Sequence, residues 1–150
     1  MKQRVETLLL VLTAVAVMTA CDEGLSELAG PTPDLEPTFS SIQRDVFQAA
    51  DASGRVACAS CHRTAALNFV GRLDLSTAAA YDQLVNVPSA NKPGAIRVIP
   101  FDPENSYLIH KVEGRPGIFG NRMPNNGPPY LTSGQLLILK RWIEIGAPRN

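Results

Sequence analysis

Apolar positions fall at helical spacing most plainly near the C-terminus, in "LTSGQLLILKRWIEIGAP", residues 131–148. Leu136, Leu139 and Ile143, flanked by Ile138, Trp142 and Ile145, make one broad apolar face, with Lys140, Arg141 and Glu144 on the other. Thr132 and Gln135 have capping-box spacing at the start. Gly146 is a C-cap and Pro148 follows it. A second helical pattern opens at "FSSIQRDVFQAA", where Ser40 and Gln43 have the same capping spacing and Ile42, Val46 and Phe47 share a face. Shorter helices are predicted over residues 76–85 and 103–112, the first ended before Pro88. Between these elements "DASGRVA" and "RPGIFGNRMPNNGPPY" read as loops, because Gly and Pro recur too often for regular structure. No alternating run is long enough for a sheet, and no segment repeats. The pattern predicts an all-α domain with long loops.

The N-terminus follows a different pattern. After the basic start "MKQR", residues 7–20 form an apolar run of 14 residues, short of the roughly 20 that a membrane-spanning helix needs. It reads as the core of a signal peptide. The run ends "MTAC", which resembles a bacterial lipobox, in which the cysteine (here Cys21) is lipidated and becomes the first residue of the mature chain. Residues 22–38 are acidic, contain three prolines and few large apolar groups, and read as a flexible tether. The expected organisation is a signal peptide over 1–20, a lipidated cysteine and tether over 21–38, and a folded domain over 39–150. Such a protein is exported and anchored to a membrane on its periplasmic side, where free thiols oxidise.

Composition narrows the function classes. The chain of 150 residues carries 14 basic and 14 acidic side chains, so no basic surface steers it to nucleic acid. With 12 prolines, 11 glycines and only 6% aromatics, a large all-protein core is not expected, and a cofactor would help the domain fold.

Chemistry concentrates in "CASCH", Cys58 to His62. Three chemistries use a Cys-x-x-Cys pair. Structural zinc needs four ligands, and His110 is the only further histidine. A dithiol redox pair sits at a strand-to-helix junction, a setting this sequence lacks. Covalent haem uses all three residues: Cys58 and Cys61 form thioethers to the two vinyl groups, and His62 falls under the iron as proximal ligand. Lipid on Cys21 and one haem c on Cys58 and Cys61 would leave no free thiol. For the distal ligand, Met123 is the one methionine left once Met1 and Met18 go with the signal. It stands in a loop, beside Arg122 and Asn125, that makes a poor core element. His110 is the alternative distal ligand, set in a short apolar helix.

CASCH, the methionine–proline loop after it and the aromatic-bearing terminal helix together resemble a class I monohaem cytochrome c. More narrowly, "GRLDLST", "VIPFDPENSYLIHKVEG" and "RMPNNGPPYLTSGQLLILKRWIEIGAP" are similar to the cytochrome c domains of bacterial lipoproteins and planctomycete-type multidomain proteins. The resemblance covers about residues 39–148. It implies a small all-α fold whose first and last helices cross, with Phe47 and Trp142 meeting there and loops wrapping one haem. Residues 48–57 depart from it, since such domains often reach the first cysteine sooner. Leu67, Phe69, Leu73, Ile99, Leu108 and Ile118 are candidates to pack on the porphyrin, and Arg63, Arg72, Arg97 and Arg122 to pair with its propionates.

The expected function is electron transfer rather than catalysis, since no nucleophile–base pair or second metal site is present. The alternative is a haem-based ligand binder or sensor whose distal ligand is absent or displaceable. The expected partner is another redox protein, such as an oxidase or dehydrogenase to which this chain delivers electrons.

Overall fold

The structure is a computed structural model that describes residues 35–64, 71–76 and 79–150. The signal peptide, Cys21 and the tether up to residue 34 lie outside the described residues, as do Leu67 and Phe69. The described residues are helical with isolated β-bridges and no strand, an all-α architecture. None of their helices is long and apolar enough to cross a membrane.

The first helix, α1, spans Phe39–Ile42 and widens into a π-helical turn, Gln43–Phe47. Its cap is Thr38, whose hydroxyl accepts from the Ser41 backbone at 3.2 Å, and not Ser40 as the capping spacing predicted. The wide turn closes with Gln48 N–H donating to the Gln43 carbonyl at 2.9 Å. Packing also begins earlier than Phe39: Leu35, within the predicted tether, is only 8% exposed and joins the core.

Helix α2 covers Ala80–Leu84 and α3 covers Tyr107–Glu113, both shorter than the apolar pattern predicted. The α3 helix starts late because Ser106 is held in an extended conformation, its hydroxyl donating to the Asp102 carbonyl at 2.8 Å. Helix α4, Ser133–Glu144, is the longest and opens with the predicted capping box of Thr132 and Gln135. It ends in a Schellman turn: Gly146 N–H donates to Ile143 and Ala147 N–H to Trp142, both at 2.9 Å. Gly146 has φ +102, and a Cβ there would stand 2.6 Å from the Phe101 ring. Ile145, placed on the apolar face by the pattern, is 43% exposed, because the turn has already left the helix at that point.

The first helix packs against the end of the last, but through a different pair from the one the family resemblance implies. Phe39, not Phe47, meets Trp142, with ring centroids 5.8 Å apart, and Phe39 also meets Tyr81 edge-on at 5.1 Å. With the cap at Thr38, Phe39 lies in the first turn facing α4. Phe47, eight positions and two turns later, is carried to the opposite end and lines the cavity described below. The chain's last residue completes this contact: Asn150 accepts from the Phe39 and Ser40 N–H groups, each at 2.9 Å, satisfying two donors of the first turn.

Candidate functional site

An apolar cavity of about 690 Å³ opens between the π-helical turn, the CASCH segment, residues 71–75, α3, the loop at 119–126 and the inner face of α4. Cys58–Ser60 is a single 3₁₀ turn, and the Cys61 and His62 N–H groups both donate to the Cys58 carbonyl, at 3.2 and 2.9 Å. This folds the five-residue motif back on itself, so that Cys58, Cys61 and His62 all stand on one part of the cavity wall. The His62 carbonyl accepts from Leu75 N–H at 2.9 Å, tying the motif to residues 71–76. That segment is itself held by Asp74, which accepts from Thr64 and Ser76 and whose N–H donates to the Gln83 side chain at 2.7 Å.

Cys58 is half-buried and Cys61 exposed, and neither is in a disulfide. Burial pushes the Cys58 thiol up, while the Arg55 guanidinium beside it pulls the other way. A dithiol oxidoreductase depends on a lowered thiol, the opposite of this direction. Among the described residues no group of three or more His, Cys, Asp and Glu is placed to hold a metal ion.

The ten-residue entry loop that departs from the cytochrome pattern is rigidly built. Arg55 and Asp51 pair at 2.8 Å with both side chains fully buried. Arg55 also donates to the carbonyls of Val46, Val56, Ala49 and Asp45, and Asp51 accepts from Ser53 and from Gln135 of α4. The Val46 carbonyl accepts from both Arg55 and the Cys58 thiol, so this knot reaches the first cysteine directly.

Met123 lines the same cavity and packs partly buried on the core. Its N–H donates to the Lys111 carbonyl at 2.8 Å. Arg122 turns outward, donating to the Val112 carbonyl at 2.8 Å and stacking over Tyr130 at 3.9 Å. His110, the alternative ligand, does not line the cavity. It sits on α3, donating from Nε2 to the Glu104 carbonyl at 2.7 Å, with its ring edge on Tyr107.

Of the candidate haem-packing residues, Leu73 and Leu108 line the cavity, whereas Ile99 and Ile118 do not. Of the four arginines, only Arg97 reaches its wall. Arg97 is 8% exposed and spends its donors on the carbonyls of Gln83, Gly71 and Arg72, and burial lowers its pKa. Arg63 and Arg72 are exposed. Sequence reasoning missed Val46, Tyr107 and Lys111 as wall residues, and missed Phe47 in that role. For Lys111 a signal did exist, since a lysine on the apolar side of a short helix is out of place without a task.

The chain matches no family model, no curated protein and no solved structure.

Proposed function

We propose that this protein is a single-haem electron carrier with a cytochrome c-like fold, its haem attached covalently through Cys58 and Cys61. The observation that carries this reading is that Cys58, Cys61 and His62 share one apolar cavity with Met123, the one methionine of the folded domain. The residues fit such a group. A cavity of about 690 Å³ lies within the span of about 300–1,000 Å³ common for cofactor sites. Its walls are mainly apolar, as a porphyrin plate needs. Its donors are two thiols, one imidazole and one thioether, the set of a His/Met c-type haem.

Haem bound here would supply a one-electron ferrous–ferric couple. The chain's own residues do the rest. Cys58 and Cys61 would hold the group covalently, and the 3₁₀ turn that carries them would leave His62 beside it as an iron ligand. Met123, on the same cavity, would be the second iron ligand, and with both positions filled the iron would exchange only an electron. The soft thioether of Met123 favours the ferrous state and raises the potential. Arg97 and Lys111, the cations of the wall among the described residues, both already donate to main-chain carbonyls. On the same reading, residues 1–20 are a signal peptide and Cys21 carries the lipid that anchors the protein at the periplasmic side of a membrane. There it exchanges electrons with a redox protein partner.

The axial assignment is tested by Met123→Ala. The ferric wild-type protein is expected to show the weak far-red absorption band of methionine on iron. M123A is expected to lose the band and to bind carbon monoxide when reduced. A band that survives in M123A removes Met123 from the site, and carbon monoxide binding by the wild-type protein would favour the ligand-binder alternative.

A further inference from the structure

We infer that Lys111 is the residue that fixes Met123 on the cavity, a positioning role that rests on the haem reading proposed above. Lys111 lies in the last turn of α3 and grips the methionine loop at three points. Its backbone carbonyl accepts from Met123 N–H at 2.8 Å, and its ammonium donates to the carbonyls of Phe119 at 2.8 Å and Asn121 at 2.5 Å. The side chain thus bridges from the helix to the loop just ahead of the methionine, while the main chain holds the methionine itself.

Within the loop, Asn121 Nδ2 also donates to Asn125 Oδ1 at 2.8 Å, but that bond does not reach α3. Residues 115–130 are dominated by glycine, proline and asparagine and form no helix or strand, so their carbonyls lack a regular ladder. Two of those carbonyls, on alternate residues, turn toward one ammonium. Other contacts place the flanks: Phe119 N–H donates to the Tyr107 hydroxyl at 2.9 Å, and Arg122 reaches the Val112 carbonyl. These hold the loop to α3 at its start and beside Met123, but neither spans the stretch between. Lys111 also lines the cavity, and burial draws it below the usual lysine value, so the two carbonyls stand in for water around its charge. A bond from a charged donor is stronger than one between neutral groups.

Lys111→Leu keeps an apolar stem and the main-chain bond, removes the two ammonium bonds and adds no new sulfur to the cavity. In the full-length protein, amide exchange at Phe119 and Met123 is expected to quicken by at least about tenfold. The far-red band of methionine on iron is expected to weaken or vanish, and the reduced protein to begin binding carbon monoxide. Lys111→Arg, which restores charged donors of similar reach, should return both signals toward the wild type. If K111L does not accumulate as a folded protein, Lys111→Gln is read by the same two measurements. Unchanged exchange overturns the inference, and so does faster exchange with the far-red band intact. The exchange experiment needs no haem. A wild-type protein without haem would therefore sink the functional reading alone, leaving the grip of Lys111 on the loop to be decided by exchange.

Discussion

The Asp51 carboxylate and Arg55 guanidinium form an ion pair whose two side chains are wholly enclosed. Burial pushes the Asp51 carboxyl up, but bonds from Ser53, Gln135 and Arg55, with the Arg55 charge, outweigh it and hold the group at about 2. Its ordinary value is 3.8, so the ionised carboxylate, with its bonds from Ser53, Gln135 and Arg55, stabilises the fold above about pH 4, and that contribution, about 2 kcal/mol, is lost as pH falls toward 2. Asp51→Asn leaves Arg55 charged and unpaired, and should cost about 3 kcal/mol at neutral pH. Urea unfolding of both proteins across this range checks it: the gap should narrow between pH 4 and 2, and a gap independent of pH would contradict the assignment. None of this was legible in "DASGR", which reads as a turn. Asp51 meets Gln135 from far along the chain, and the carbonyls around Arg55 are invisible in any side-chain pattern. The CASCH motif stands out in the sequence for the opposite reason: it is local, and the chemistry proposed for it depends on the spacing itself.

At the scale of elements, α4 was legible almost residue by residue, because its start and stop signals lie within it. The capping box and the Schellman glycine act through neighbours three or four positions away. Gly146→Ala should therefore destabilise the domain by about 1–3 kcal/mol, since it forces a side chain into φ +102 and against Phe101. Thermal unfolding measures this, and a loss no greater than that of an exposed surface substitution would show that the turn relaxes freely. Helix α1 was less legible. Thr38 and Ser40 both suit a cap, and the choice between them was settled by Phe39 entering the core against Trp142 and Tyr81. The short helices α2 and α3 carry too few turns for periodicity to locate their ends. Their bounds follow instead from tertiary bonds such as Tyr107 N–H to the Ile96 carbonyl at 2.9 Å.

At the scale of the molecule, the described helices share one apolar core cluster, and a large apolar cavity opens into it. Trp142, Phe39, Ile42 and Ile143 pack tightly at one end. At the other end, Val46, Phe47, Leu73 and Leu139 turn toward the cavity. Walls of this kind gain their partners from an apolar occupant, and removing one costs more the larger the space left behind. Cys58→Ser/Cys61→Ser, which denies the haem its attachment, should lower the unfolding midpoint by roughly 10 °C or more, corresponding to several kcal/mol. Circular dichroism and thermal stability left intact in that double variant would contradict a cofactor-dependent core. The most direct test of the central claim is the mass of the purified mature protein, read together with its pyridine haemochrome spectrum. The account predicts a polypeptide heavier by one haem that withstands acid–acetone extraction, with a c-type spectrum that the double variant lacks. A mass matching the chain with Cys58 and Cys61 unmodified, or a haem that extracts freely, would contradict it.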